Sequence, residues 1–217
     1  WYRNGNPHKL LFLDVDGVLN TSAYFQSKEY KRSRVLTGRN TKQYDLKKLD
    51  LLKEIVKKTN CTVVMSSSWR YFYFDPQNSS RAGVGCMQLK RDLKIRGIRI
   101  KYKTGKEYDN DLYKKYSSMN ITENEDGSLN FFGKNSCKNP ITEFYDRGLQ
   151  IKSFITKWER KYGKVKFAVL DDDIGDLFLF GDNFVNTKWY SNTLEEGGIT
   201  KETVEKCIQL LGKKRES

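Results

Sequence analysis

Histidine, proline and cysteine are scarce in this chain of 217 residues, which contains one, three and four of them. The single histidine, His8, precedes the first predicted strand, so we do not expect histidine-based catalysis. The four cysteines are widely scattered and form no Cys-x-x-Cys pair. This spacing argues against a structural zinc site and favours free thiols over disulfides.

Long apolar runs are also missing, so the sequence predicts no membrane-spanning segment. The N-terminal residues show no apolar segment of the kind found in secretory signals, and we expect a cytoplasmic location. Acidic residues are outnumbered, because 40 Lys and Arg against 27 Asp and Glu give a net charge of +13. A field of this sign attracts polyanions. A solvated, lysine-rich surface has the same composition, so charge supports a nucleic-acid partner without proving it.

The apolar patterns predict an α/β fold with a parallel sheet. Buried strands are predicted at 9–15, 61–65 and 165–170, and helices at 45–58, 149–162 and 201–211, the last capped by Thr200. Residues 20–41 are predicted to form a polar, basic, flexible loop beside the site. Within 71–146 the patterns indicate a helical stretch at 89–95, a strand at 98–102 and a hairpin turn at 124–127.

Polar clusters follow each of the three predicted strands. Asp14 and Asp16 follow the first, Ser66 to Ser68 the second, and Asp171 to Asp173 with Asp176 the third. Ligands of open parallel sheets bind at the carboxyl ends of the strands, where these clusters would meet. Converging carboxylates repel each other unless a cation lies among them, and oxygen-only ligands favour Mg²⁺. The alternative is that the acids only cap turns and helices.

Three strings resemble motifs of the haloacid dehalogenase (HAD) superfamily. They are Leu11-Phe-Leu-Asp-Val-Asp-Gly-Val-Leu-Asn20, Met65-Ser-Ser-Ser-Trp-Arg70 and Leu170-Asp-Asp-Asp-Ile-Gly-Asp176. The resemblance is closest to the HAD domain of Swiss Army Knife RNA repair proteins, and extends to the polynucleotide phosphatases. It implies a Rossmann-like, doubly wound parallel sheet. Residues 9–70 and 147–213 would form the catalytic core, and 71–146 an inserted, partly β cap or flap.

The resemblance also implies roles for individual residues. Asp14 would be the nucleophile that forms an aspartyl-phosphate, and Asp16 would be the general acid and base. Gly17 would allow a tight turn beneath the phosphate. Ser66 would hydrogen-bond the phosphoryl group, with Ser67 as its close competitor.

The metal ligands and the cationic groups follow from the same resemblance. Mg²⁺ would be held by Asp14, the Asp16 carbonyl and Asp172, with help from Asp171 or Asp176. Arg70 would clamp a phosphate, unless it forms a structural ion pair. For the cation that steadies the nucleophile the sequence favours Lys152 over Arg147. That choice reverses if the helix begins near Arg147.

The leading hypothesis is a Mg²⁺-dependent phosphomonoester hydrolase that removes a terminal phosphate, such as a 3′-phosphate, from a nucleic acid. One alternative is a small-molecule nucleotidase whose insert closes over a mononucleotide. A second alternative is a nucleic-acid-binding module that has kept the fold but lost turnover. The sequence does not indicate an oligomeric state.

Overall fold

The computed structural model describes residues 5–38, 41–75, 81–105, 119–123, 129–133, 147–175 and 177–212. Its central strand is β1 (Asn6–Leu13), in which the residues from Leu10 to Leu13 are fully buried. Such a run, apolar on both faces, is typical of a central parallel strand. β2 (Cys61–Met65) pairs with one edge of β1, and β6 (Lys166–Asp171) pairs with the other.

Two short strands complete the main sheet on its two edges. β3 (Tyr102–Lys103) pairs with β2, and β7 (Phe184–Asn186) pairs with β6. All neighbours are parallel, and the strand order is β3-β2-β1-β6-β7. This arrangement confirms the predicted Rossmann-like α/β class.

Helices cover both faces of the sheet. One face packs against α3 (Leu46–Thr59), α5 (Arg81–Ile95) and α7 (Lys201–Leu211). The other face packs against α6 (Arg147–Tyr162) and a 3-10 helix at Leu177–Asn183. Polar caps fix two of these helices, because Asp45 accepts the backbone N–H of Lys47 and Thr200 accepts that of Thr203. The sheet is therefore doubly wound.

The predicted flexible loop at 20–41 is wrong. The chain there forms α1 (Ser22–Gln26) and α2 (Lys28–Thr37). Thr21 and Ser27 cap them by accepting the N–H groups of Tyr24 and Tyr30. The two tyrosine rings also pack against Phe25, which contributes apolar contacts that a polar loop would lack.

The predicted insert at 71–146 does not begin where the sequence suggested. The side chains of Leu89 and Leu93 in α5 are fully buried in the main core, and β3 belongs to the main sheet. The predicted strand at 98–102 is shorter and later, because Ile98 and Ile100 enter the core without strand pairing. β4 (Met119–Glu123) and β5 (Leu129–Gly133) form the predicted antiparallel hairpin, while its turn at 124–127 lies outside the described residues.

Cys61, Cys86 and Cys207 are buried free thiols, and Cys137 lies outside the described residues. His8 is exposed. None of the described helices combines the length and apolar character needed to cross a membrane.

A buried lysine joins α3 to the turn before α7. The Lys48 ammonium group donates to the carbonyl oxygens of Gly197 and Ile199 at 2.6 and 3.0 Å. The same turn contacts the segment after β1, since the Ile199 N–H donates to the Val18 carbonyl at 2.9 Å. Burial lowers the pKa of Lys48, although the charge of Asp45 opposes this effect. Lys48 therefore ties the helical layer to the loops at the carboxyl edge of the sheet.

We expect Lys48→Met to lower the free energy of unfolding by about 2 kcal/mol, because two buried carbonyl groups would lose their donor. Urea unfolding monitored by circular dichroism measures this loss. Lys47→Met is the matched control, because Lys47 is exposed and surface changes stay within about 0.5 kcal/mol. Equal losses in the two variants would contradict the assigned role of Lys48.

Candidate active site

Three carboxylates converge at the carboxyl edge of the sheet. Asp14 follows β1, Asp171 ends β6, and Asp172 is the next residue. The pairing of the strands extends into this region, since the Asp14 N–H donates to the Leu170 carbonyl at 3.0 Å. One oxygen from each carboxylate lies within 4.8 Å of the others. The predicted convergence of strand ends is thus present in the structure.

Arg147 lies between two of these acids. It is the first residue of α6, and its Nη1 atom is 2.6 Å from Asp171 Oδ2 and 3.6 Å from Asp14 Oδ1. The Asp14 and Asp171 side chains are almost completely buried, whereas that of Arg147 is 26% exposed. Arg147 therefore offsets part of a negative charge that water cannot screen well.

Burial raises the pKa values of all three acids, and the charge of Asp171 raises those of Asp14 and Asp172 further. Burial, followed by the charge of Asp171, raises the pKa of Asp14 to about 8, although Arg147 acts in the opposite direction. Burial also raises the pKa of Asp171, again against the effect of Arg147. Burial and then the charge of Asp171 raise the pKa of Asp172 to about 6. The cluster therefore favours bound protons or an added cation.

The three carboxylates fit a hard divalent cation. Their oxygens are close enough to share one ion, and carboxylates are the ligands that Mg²⁺ prefers. A cation would also relieve the repulsion that raises their pKa values. Asp16 is not part of this side-chain group, so its predicted contribution is limited to the backbone carbonyl. Asp176, another predicted ligand, lies outside the described residues.

Gly17 allows the turn that follows β1 to lie directly against Asp172. Its φ angle is +66°, and a Cβ atom at this position would overlap the Asp172 carboxyl group. The Thr187 hydroxyl donates to the Gly17 carbonyl at 2.7 Å, and the Thr187 N–H donates to the Asp171 carbonyl at 2.9 Å. Thr187 therefore joins the turn after β1 to the end of β6.

Two neighbours hold the Asp16 carboxylate in place. Asn20 Nδ2 donates to Asp16 Oδ1 at 2.9 Å, and Trp69 Nε1 donates to Asp16 Oδ2 at 3.0 Å. Asn20 also accepts the Gly17 N–H at 3.1 Å and donates to the Gln43 carbonyl at 2.9 Å. Asp16 is thus oriented independently of the acidic cluster while lining the same cleft.

The serines after β2 differ in their contacts. The Ser67 hydroxyl hydrogen-bonds Asp14, which lowers the pKa of that acid, and it accepts the Trp69 N–H at 3.2 Å. The Ser66 hydroxyl is buried and has no partner among the described residues. Ser68 is exposed and lines the cleft. Ser66 thus retains an unused hydrogen-bonding group, whereas Ser67 already supports Asp14.

Arg70 begins the short helix α4 (Arg70–Tyr73), and its guanidinium group points into the protein. Nη1 donates to the carbonyls of Ser66 and Ser67 at 2.6 and 3.0 Å. Nη2 donates to Gln150 Oε1 on α6 at 2.8 Å. These bonds favour the structural alternative for Arg70 over a phosphate clamp. They hold the turn that contains Ser66 and Ser67 against α6.

Lys152 lies on a different side of α6 from Arg147. A separation of five residues turns a helix by about 140° beyond one full turn. Within the described part of the chain, Lys152 forms no ion pair with the clustered acids. The helix begins at Arg147, which is the condition under which the sequence-based preference for Lys152 reverses.

The acids open onto a cleft of about 580 Å³ that includes residues not singled out from the sequence. One wall of the cleft consists of Thr187, Lys188, Trp189 and Tyr190. A second cavity, of about 870 Å³, lies beside α1 and shares Lys188 and Tyr190 with the cleft. The signal for this wall was the basic and aromatic string Lys188-Trp-Tyr190.

The wall is fixed by backbone hydrogen bonds. The Lys188 carbonyl accepts the Gly198 N–H at 3.0 Å. The Trp189 carbonyl accepts the N–H and the hydroxyl of Ser22 at 3.0 and 3.1 Å. The Tyr190 side chain is 82% exposed at the end of this segment. A cation and an exposed ring therefore stand on a supported backbone at the mouth of the cleft.

Comparison with known families agrees with this geometry. Residues 10–204 match the model of the HAD domain in Swiss Army Knife RNA repair proteins. The chain belongs to this family. It is a HAD-type phosphatase. The matched residues include all three acids of the cluster, Asp14, Asp171 and Asp172. No curated protein and no solved structure gives a significant match.

The raised pKa of Asp14 makes the stability of the metal-free phosphatase depend on pH. Asp14 contributes favourably to stability below the pKa of the unfolded chain, near 3.8. This contribution is lost as the pH rises towards the pKa of the folded protein, about 8. Asp14→Asn cannot ionise. We expect the stability of the variant relative to the unmodified protein to increase between pH 5 and pH 8 by up to about 4 kcal/mol, which is about 1.4 kcal/mol per pH unit.

Urea unfolding of both proteins, in the presence of a chelator at pH 5 and pH 8, measures this change. A stability difference between variant and parent that is the same at both pH values would contradict the raised pKa of Asp14.

Proposed function

We propose that this HAD-type phosphatase removes a terminal phosphate, in particular a 3′-phosphate, from a nucleic acid through a covalent phosphate on Asp14, and that it requires Mg²⁺. The observation that carries the proposal is the group of Asp14, Asp171 and Asp172 around the Arg147 guanidinium, with Asp16 beside the same cleft. This set supplies a nucleophile, a cation and a separate proton carrier.

In the first half of the proposed reaction, an Asp14 oxygen attacks phosphorus. A bond forms between Asp14 and phosphorus, and the bond from phosphorus to the nucleic-acid oxygen breaks. Asp16 donates its proton to that leaving oxygen, which departs as an alcohol. The hydrogen bonds from Asn20 and Trp69 support this role, because they orient the Asp16 carboxyl group before the substrate arrives.

In the second half, a water molecule attacks the phosphorus of the aspartyl-phosphate. Asp16 accepts a proton from this water, and the bond between Asp14 and phosphorus breaks to release inorganic phosphate. Asp14 is thereby regenerated as a carboxylate, and Asp16 regains the proton that it gave away. Carboxylates therefore carry every proton, in agreement with the scarcity of histidine.

Arg147 is the proposed third-motif cation, in place of Lys152. Its contact with Asp14 keeps the nucleophile oriented, and its positive charge favours the phosphoryl group over neutral ligands. The unpaired Ser66 hydroxyl is the proposed donor to a phosphoryl oxygen, with Ser67 supporting Asp14. Gly17 keeps the floor of the site open beside Asp172.

Asp14, Asp172, the Asp16 carbonyl and, directly or through water, Asp171 are the proposed Mg²⁺ ligands. A bound Mg²⁺ would neutralise phosphate charge and lower the pKa values of the clustered acids. Asp176 remains a predicted ligand from the sequence.

Two observations support a nucleic-acid end over the alternative of a mononucleotide. The net charge of +13 attracts polyanions over long distances. The cleft and the neighbouring 870 Å³ cavity both have Lys188 and Tyr190 in their linings, so the surface beside the cleft offers space to a chain that extends beyond the terminal nucleotide. An exposed ring beside a cation is a typical contact for a splayed base and its phosphate.

The other alternative is a binding module without turnover. It is disfavoured because Asp14, Asp16, Asp171 and Asp172 are all present at the cleft and in the acidic cluster.

The substrate is tested by measuring phosphate release from 3′- and 5′-phosphorylated RNA and DNA oligonucleotides, mononucleotides and an aryl phosphate. We expect the highest kcat/KM with a 3′-phosphorylated oligonucleotide, loss of activity with a chelator, and recovery with Mg²⁺. Asp14→Asn should lower kcat more than about a thousandfold on every substrate. Equal rates on all substrates would overturn the nucleic-acid assignment, and an active Asp14→Asn variant would overturn the mechanism.

The third-motif cation is tested by comparing Arg147→Met with Lys152→Met on the aryl phosphate. Removing a charged group that stabilises the transition state costs about a hundredfold in kcat. We therefore expect the loss for Arg147→Met to be at least about tenfold larger than the loss for Lys152→Met. Partial recovery in Arg147→Lys would separate the effect of charge from that of folding. The opposite order of losses would return the role to Lys152.

A further inference from the structure

A third cavity lies at the other end of the main sheet, where the strands begin. It has a volume of about 700 Å³ and is lined by the first residues of β1 and β2, by α3 and α6, and by the connection from α5 to β3. The catalytic cleft lies at the opposite, carboxyl edge of the strands. β1 has eight residues, so this cavity and the catalytic cleft are separated by about 23 Å along the sheet.

The lining of this cavity is cationic. Lys53, Lys57, Arg96, Arg99 and Lys101 contribute to it, and none of the described lining residues is acidic. Lys53 and Lys57 lie one turn apart on α3, so their like charges share one side of the helix. Arg96 is neutralised by Asp50 at 2.8 Å.

Three of these cations have no counter-ion among the residues that the structure describes. Lys53, Lys57 and Arg99 form no ion pair with any residue in the described ranges. All three are exposed. Gathering uncompensated cations on one wall has an electrostatic cost, which an anionic ligand would offset.

Aromatic side chains form another part of the lining. The Trp158 ring lies 4.8 Å from that of Tyr102 and 4.7 Å from that of Tyr162, measured between centroids. The Trp158 indole N–H donates to the Pro7 carbonyl at 2.8 Å, which fixes the middle ring. Tyr102 and Tyr162 are partly exposed. The cavity therefore combines supported aromatic rings with cations.

This combination is the one that single-stranded nucleic acids use, because phosphates pair with cations while bases stack on aromatic rings. An acidic peptide would use the cations but not the rings. We propose that this cavity is a second binding site for single-stranded nucleic acid, distinct from the catalytic cleft. The Lys101-Tyr-Lys103 string contributes to it through Lys101 and Tyr102.

The position of the site implies a dependence on strand length. At a stacked rise of about 3.4 Å per nucleotide, a strand needs roughly seven nucleotides to span 23 Å. Shorter oligonucleotides reach one cavity at a time, whereas longer ones engage both and bind more tightly through the raised effective concentration. We expect the gain in affinity to begin above this length.

The test is fluorescence anisotropy of the full chain with labelled, unphosphorylated single strands of 4 and 20 nucleotides over a range of salt concentrations. The variant is Lys53→Glu/Lys57→Glu, and the matched control is Lys201→Glu/Lys206→Glu. The control makes the same change in net charge on exposed positions of α7, away from the cavity. Circular dichroism checks that both variants are folded.

For the 20-nucleotide strand we expect the cavity variant to bind at least about tenfold more weakly than the control at low salt. The slope of log affinity against log salt should become shallower by about 1.4, because two phosphate contacts are lost. For the 4-nucleotide strand the difference between variant and control should be smaller.

Equal weakening in variant and control would mean that only net charge matters and would overturn the proposal. The proposal would also be overturned if the cavity variant lost binding to polyglutamate or to anionic vesicles but kept its binding to the 20-nucleotide strand. The measurement requires no turnover, whereas the proposed catalytic function is judged from phosphate release. Failure of one proposal is therefore distinguishable from failure of the other.

Discussion

The interaction on which the rest of the structure depends is the contact of Arg147 with Asp171 and Asp14. It allows buried carboxylates to meet at one sheet edge, where repulsion and desolvation would otherwise oppose the fold. The compensation is incomplete, because the pKa of Asp14 still rises to about 8. A metal ion would relieve the remaining charge imbalance, which lowers the stability of the folded protein when no ion is bound.

Around this charged centre, the surrounding turns separate two carboxylates that are close in sequence. Asp14 lies in the buried cluster, whereas Asp16 is held by Asn20 and Trp69 at the cleft. Neighbouring acids thereby receive different environments, as two-step phosphoryl transfer through one nucleophile and one proton carrier requires. The segment from Lys188 to Tyr190 forms a further part of the cleft wall, beside these acids.

The sheet and its acidic edge were predictable, because the buried runs before Asp14 and Asp171 indicate parallel strands that end together. The choice between Arg147 and Lys152 was not, because it depends on where α6 begins, and residues before a helix carry no periodic signal. The helices at 22–37 were missed because the capping roles of Thr21 and Ser27 were not recognised. The string Lys188-Trp-Tyr190 indicates a basic and aromatic segment, but its place at the cleft depends on tertiary hydrogen bonds such as that from Thr187 to Gly17, which no local pattern reveals.

The close approach of Gly17 to Asp172 also constrains the order in which the molecule can be made. Asp14, the proposed nucleophile, is synthesised before its acidic neighbours Asp171 and Asp172 and before Thr187, which all follow more than 150 residues later. Contacts this distant in sequence form late in folding. A partly synthesised chain would therefore carry Asp14 without Asp171, Asp172 and Thr187, so we expect no phosphatase activity until synthesis has passed Thr187.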